Sequence, residues 1–260
     1  MSAHFSAKSP VRGYDRGMCF NMTLLTEMKE LEQEFRALFE EISFSPAAGI
    51  SGFSHPSWPI IPAEHPGSAR MVRWGLIPSW ARTREEAQKL RKATLNARLE
   101  TAWDLPSFRN SIGPRRCLIP VDGFYEPFHH EGSSYPFYLH RRDRKLFALG
   151  GIYDRWNDPE TNRRYATFSI LTTDARGIVS VIHNRKQRMP LMISSEDYQR
   201  WLDPNLDRQE VLSLAEREPD DQLTAYPVSS QLYARSGKQQ DDLTKPWNYG
   251  IESVDRLIAL

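Results

Sequence analysis

Four short segments of this chain set chemically capable residues into apolar runs. They are Met18-Cys19-Phe20-Asn21, Thr94-Leu95-Asn96-Ala97-Arg98-Leu99-Glu100, Pro120-Val121-Asp122-Gly123-Phe124-Tyr125-Glu126-Pro127, and Val181-Ile182-His183-Asn184-Arg185 followed by Arg188-Met189-Pro190-Leu191. Cys19, Asn96, Glu126 and His183 supply a thiol, an amide, a carboxyl group and an imidazole. Those are the parts of a nucleophilic site: nucleophile, orienter, general acid/base and proton donor. Each also has a plainer reading. Cysteine is often a small buried hydrophobe, the role preferred for Cys117 in RRCLIPV. Asn96 fits a residue that bonds the backbone of a turn. Glu126 fits an arginine partner, and His183 the polar end of a short apolar helix. Spacing alone does not bring the four together. The sequence holds no Gly-rich phosphate loop, HExxH or GxSxG motif. His129 and His130, with Glu131, read as a solvated hairpin turn, and Asp220-Asp221 as surface.

Composition limits what such a site can belong to. The chain has 260 residues, with 34 Lys+Arg against 33 Asp+Glu and a formal net charge of +1. At ~150 residues per domain this is one domain or two, long enough to bury a core without staples. Near-neutrality excludes a globally basic nucleic-acid wrapper and a highly charged disordered chain, though not a local basic groove. Two cysteines form no disulfide framework, which points to a reducing compartment. No apolar run reaches the ~18–20 residues of a membrane span. The segment MSAHFSAKSPVRGYDRGM, residues 1–18, lacks the apolar stretch of a secretory signal and reads as an unstructured or removable leader. Residues 19–260 read as the domain.

Apolar residues recurring every three or four positions from Thr23 to Ile42 predict one amphipathic helix, capped by Asn21 or Thr23. The proline-rich stretch from Phe44 to Gly67 predicts extended loop with short strand pieces. Met71–Ile77, Cys117–Val121, Tyr135–His140, Lys145–Tyr153, Tyr165–Thr172, Met189–Ile193 and Ala225–Val228 read as strands. Glu85–Lys92, Asp174–Val181, Ser194–Leu202 and Asp207–Glu216 read as helices, Ser194 and Asp197 fitting a capping box. Without regular alternation of strand and helix, the class is α+β.

MCFN, WGLIPSW, LNARLET, PSFR, RCLIPVDGFYEP and IHNR…RMP, in that order, resemble the SOS-response-associated peptidase (SRAP) family from about Cys19 to Ser229. The resemblance implies a single domain with a central, barrel-like, mostly antiparallel β structure flanked by helices. It implies binding of single-stranded DNA and a covalent thiazolidine with the open-chain aldehyde of an abasic site. On it Cys19 is the nucleophile, Asn96 orients it, Glu126 is the acid/base group, and His183 assists sugar-ring opening. A thiazolidine needs an amine and a thiol on one residue, which only an N-terminal cysteine offers. An α-amino group of pKa ~7.7–8.0 is partly neutral near pH 7 and can attack an aldehyde. The thiol then closes the ring as thiolate.

The same resemblance makes Arg98 a bidentate phosphate donor, with Arg185 and Arg188 as further phosphate candidates. Trp80 and Pro56 are placed against bases beside the lesion, while Trp74 is assigned to the core. Abasic single-stranded DNA is the expected partner, with no cofactor, no metal, no membrane, a monomeric state and a cytoplasmic setting. Two departures stand out. Phe20-Asn21 replaces the family's Gly-Arg after the cysteine, and Lys186-Gln187 lengthens the segment between His183 and Met189. As written, Cys19 is internal, so the chemistry requires a start at Met18 or removal of residues 1–18. A cysteine-type (auto)peptidase and a non-covalent single-stranded DNA-binding module are the alternative functions.

Overall fold

The runs rich in β-branched, aromatic and leucine residues fold into strands, and five of these strands close on themselves. The computed structural model describes residues 11–12, 21–39, 42–217, 222–233 and 243–257. In chain order the elements are β1 (Val11–Arg12), β2 (Asn21–Leu24), α1 (Met28–Phe35), β3 (Ala47–Ser51), β4 (Ser57–Pro62), β5 (Arg70–Trp74), α2 (Arg84–Ala93), β6 (Asn96–Arg98), α3 (Leu99–Ala102), α4 (Arg109–Ile112) and β7 (Arg116–Val121). Then follow β8 (Gly123–His130), β9 (Ser133–Arg141), β10 (Phe147–Asn157), β11 (Arg164–Asp174), α5 (Gly177–Ile182), β12 (Arg188–Pro190), β13 (Met192–Ile193), α6 (Tyr198–Trp201), α7 (Arg208–Glu216), β14 (Leu223–Pro227) and α8 (Glu252–Asp255).

β11, β5, β4, β7 and β10 form the ring, which closes where β10 pairs back onto β11. All its pairings are antiparallel except β5–β11. The expected α+β class and barrel-like centre are therefore present. β11 carries two further strands along its C-terminal half. β6 pairs there in parallel, Ile170 opposite Asn96, and β12 antiparallel, Asp174 opposite Arg188. A second, antiparallel sheet runs β1-β9-β8-β2-β3, with β14 also on β9. A large apolar cluster joins the barrel to this sheet, with Trp58, Trp74, Phe124, Phe168 and Trp201 among its largest side chains.

Several sequence expectations change. Thr23–Ile42 is not one helix: its first residues form β2, and α1 ends at Arg36 in the left-handed region, φ 50°. Helical periodicity loses because β2 finds partners on both edges, β8 and β3, which bury Met22 and Leu24. β8, unassigned from sequence, is an eight-residue strand paired with β9 throughout. His129 and His130 end that strand, and the turn is Glu131-Gly132, both at positive φ. In the leader, Val11–Arg12 pair with Ser133–Ser134, so those two residues are not unstructured. Among the helices, α5 starts after Arg176 rather than Asp174, and Ser194 and Asp197 make no capping bond. Asp207 makes a full capping box with Glu210 at α7. Asp220-Asp221 lies outside the described residues.

Candidate functional site

Asn96 and Glu126 stand on strands, and His183 directly follows a helix. Asn96 opens β6 and is buried. The two residues before it are clamped. The Thr94 hydroxyl donates to Leu76 O at 2.6 Å, and Leu95 O accepts from Trp74 Nε1 at 2.8 Å and Ile170 N at 3.1 Å. The Ser169 hydroxyl also donates to Thr94 O. Trp74 is thus a core residue that sets the height of Asn96 on β11, in keeping with its sequence assignment.

Glu126 lies mid-strand in β8 and is fully buried. His183 follows α5, which packs on β8, and is fully buried as well. Its Nδ1 stands 2.6 Å from Arg188 O and 3.5 Å from Glu126 Oε2. A carbonyl can only accept, so Nδ1 carries the hydrogen and Nε2 presents a lone pair. Nε2 is buried and has no hydrogen-bond partner among the described residues. Burial lowers the His183 pKa from the usual histidine range, and Lys186 lowers it further against the Arg188 carbonyl, which raises it. The ring is therefore neutral near pH 7.

Neighbouring residues hold this geometry. Asn184 clamps the His183 loop to β8: its Oδ1 accepts from His129 N at 3.1 Å and its Nδ2 donates to His129 O at 2.8 Å. The extra residues Lys186-Gln187 are absorbed in a turn, with Gln187 at φ 50° and its N donating to His183 O. Arg188, offered from sequence as a phosphate contact, is buried. Its guanidinium reaches Asp174 at 2.6 Å, Glu100 at 2.9 Å and Thr172 O at 2.8 Å. Those bonds engage both Nη atoms, while Nε is buried without a partner among the described residues, and they tie β11 and α3 to the loop whose carbonyl orients His183. Arg188 is thus an internal strut. Sequence reasoning missed that role because Asp174 and Glu100 are brought to it only by the β11–β12 and β11–β6 pairings.

Of the remaining candidates, Arg98 and Arg185 are exposed. Trp80 is 39% exposed, its Nε1 donating to Pro106 O at 3.0 Å. Pro56 is half-buried, its carbonyl accepting from Trp74 N. Cys19 lies outside the described residues. The strand that follows it is firmly placed: Asn21 pairs with Tyr125, next to Glu126. Asn21 Nδ2 donates to Gly49 O, and the Thr23 hydroxyl stands 2.9 Å from Tyr125 OH. Asp122, which the sequence did not single out, accepts from Leu25 N, Thr26 N and the Thr26 hydroxyl, and so locks the far end of β2. Cys117 is buried and burial pushes its thiol pKa up, so it is inert. Among the described residues no group of three or more His, Cys, Asp or Glu is placed to hold a metal ion. No helix there is long and apolar enough to cross a membrane.

Comparison with known proteins places these features in a family. The model of the SOS response associated peptidase (SRAP) family matches residues 18–234. The abasic site processing protein YoqW of Bacillus subtilis is 34% identical over 224 residues, covering 82% of this chain and 93% of its own. The abasic site processing protein HMCES of Rattus norvegicus is 32% identical over 187 residues, 61% of this chain and 51% of its own. A crystal structure of a Bacteroides thetaiotaomicron protein superposes with a TM-score of 0.80 at 31% identity, covering 88% of this chain and all of that one.

Proposed function

Since this chain belongs to the SRAP family, we propose that it processes abasic sites in DNA, and that it does so by linking itself covalently to them in single strands through Cys19. The observation that carries this reading is the buried Glu126–His183 contact, one residue along β8 from where β2 pairs. Cys19 is two residues from Asn21, a reach of at most ~7 Å along the chain. A Cys19 freed of residues 1–18, by a start at Met18 or by cleavage, then brings amine and thiol to these groups. That the family match begins at Met18 supports such a boundary.

The chemistry follows in balanced steps. An abasic sugar must open before it shows an aldehyde at C1′. The Cys19 amine adds to that carbon, and the carbinolamine loses water to give an imine. The thiolate adds to the imine carbon, the nitrogen takes a proton, and the five-membered ring closes. One C–N and one C–S bond form, and one water leaves. The Glu126 carboxyl group passes the protons of carbinolamine dehydration. His183, neutral and with Nε2 open, takes and returns the proton of ring opening. Asn96 orients the cysteine, and Arg98, Arg185, Trp80 and Pro56 hold the strand on either side of the lesion.

Protein whose intact mass confirms Cys19 as its first residue is incubated with single-stranded DNA bearing one abasic site. A gel-stable adduct is expected, lost in both Cys19→Ala and Cys19→Ser, since neither closes a thiazolidine. No adduct from the confirmed protein, or an adduct retained in either variant, overturns the reading. An adduct from a chain that still carries Met1 overturns the requirement for a free N-terminus.

A further inference from the structure

On the wall of the barrel, between α2 and strands β5, β10 and β11, lies a pocket of about 250 Å³. Arg73, Arg84, Arg91, Trp156, Asp158 and Tyr165 are among the residues that line it. It is smaller than the ~300–1,000 Å³ of drug-sized sites and suits a compact polar group.

Its charges do not cancel. Arg84 is spent: its guanidinium grips Asp158 through Nε and Nη2 and Glu160 through Nη1. Asp158 is spent in turn, since it also accepts from Thr161 and from Glu160 N. That leaves Arg73 and Arg91 facing each other's charge. Arg91 is half-buried, with Nη2 donating to His55 O at 3.2 Å and a buried Nε that has no hydrogen-bond partner among the described residues. Burial, then Arg73, pushes its pKa down to about 10, so it stays charged. Burial lowers the His55 pKa most, and Arg91, Lys92 and Arg73 lower it further. The fold makes room for Arg91: Gly75 sits at φ +101°, and a Cβ there would fall 2.7 Å from Arg91 Cγ. Two arginines kept together, one of them half-buried, cost electrostatic free energy that an anion between them would offset.

The second feature is aromatic. Trp156 and Tyr165 stack at 6.1 Å with planes 25° apart, and Tyr165 is half-buried, so part of its ring borders the pocket. We propose that this pocket is a nucleotide-phosphate site, with Arg73 and Arg91 as phosphate ligands and Tyr165 as the wall for the attached sugar or base. Two sources carry that chemistry, a DNA strand and a free nucleotide. The strand is favoured by the pocket's borders. Arg91 bonds His55, the neighbour of Pro56, and Trp156 Nε1 donates to Ala81 O, beside Trp80. The phosphate chemistry stands independently of the covalent reading; the strand as its source rests on DNA being the partner.

The test uses the full chain as wild type, Arg73→Gln and Arg73→Gln/Arg91→Gln, each checked for unchanged folding by circular dichroism. Unmodified single-stranded oligonucleotides of 5 and 20 nucleotides and a nucleoside monophosphate are titrated at several salt concentrations. Arg73→Gln is expected to weaken binding of the long oligonucleotide at least ~5-fold and to lower its salt slope by ~0.7, the share of one single-strand phosphate. Loss confined to the nucleoside monophosphate would support the site with a free nucleotide as occupant. Both ligands binding folded variants as they bind wild type overturns the proposal. Adduct formation on a 5-nucleotide abasic substrate is read in parallel. Its absence from protein whose intact mass confirms Cys19 as the first residue counts against the covalent reading and leaves the Arg73 result standing.

Discussion

Arg116 and His183 are both fully buried polar side chains, yet the fold treats them in opposite ways. Arg116 is spent on carbonyls. Nε donates to Trp201 O and Nη1 to Ile112 O, each at 3.0 Å, with Gly113 O and Asp203 O also accepting. Its guanidinium also lies over the Trp201 ring. Burial pushes its pKa down to about 10, which still leaves it protonated, so it serves as a charged cap for carbonyls at the ends of α4 and α6. His183 is half-spent: Nδ1 is committed to Arg188 O while Nε2 has no hydrogen-bond partner among the described residues. A polar group whose whole capacity is consumed holds structure. One left with an open atom beside a second acid/base group is where a fold keeps reactivity, at a cost in stability.

The sharpest way to break this contrast is Arg116→Met. It leaves four carbonyls without their shared donor, and a loss of about 3–5 kcal/mol in stability by urea unfolding is expected. The rate of adduct formation per folded molecule should hold. A loss under ~1 kcal/mol would show that Arg116 is no keystone. Glu126→Gln is the mirror experiment: adduct formation should slow ~100-fold or more, with the urea midpoint little moved. A variant that reacts at the wild-type rate would remove Glu126 from the chemistry.

The smallest effect is one of slope. Because burial holds the folded-state His183 pKa below the ordinary 6.5, the unfolded chain binds this proton first as pH falls. Stability is therefore lost as pH drops through about 6.5 towards the folded value. His55 and His140 are shifted in the same direction, again chiefly by burial. Melting temperatures between pH 7.5 and 5 should decline, and His183→Asn should flatten that decline without abolishing it. An unchanged slope would mean that His183 titrates alike in both states.

Four of the five barrel strands were legible from their runs of apolar residues, as in β7, whereas β4 lies in the proline-rich stretch that reads as extended loop with short strand pieces. β8 was not legible. Pro127 and the polar His129-His130 read as loop, whereas in the structure Pro127 faces Pro136, so both missing donors fall on one rung of the ladder. Residue types marked Glu126 and His183 as candidates, but their contact arises from α5 lying on β8, a packing between segments 57 residues apart that no local pattern encodes. Arg188 shows the converse. Its type suggested a phosphate contact, and only the pairing of β12 and β6 on β11 reveals acids already in place for it. The pocket at Arg73 and Arg91 escaped notice because α2 reads as an ordinary charged helix, and which of its charges meet β5 depends on how it docks.

The pairing of Asn21 with Tyr125 also sets a clock. β2 emerges from the ribosome roughly a hundred residues before the strand that receives it, and at ~5–20 residues per second that interval lasts about 5–20 s. Throughout it β2 has no β8 to pair with. The Glu126–His183 pair comes later still, since His183 follows Glu126 by another 57 residues, so on the proposed reading removal of residues 1–18 has the whole of that interval before the site can assemble.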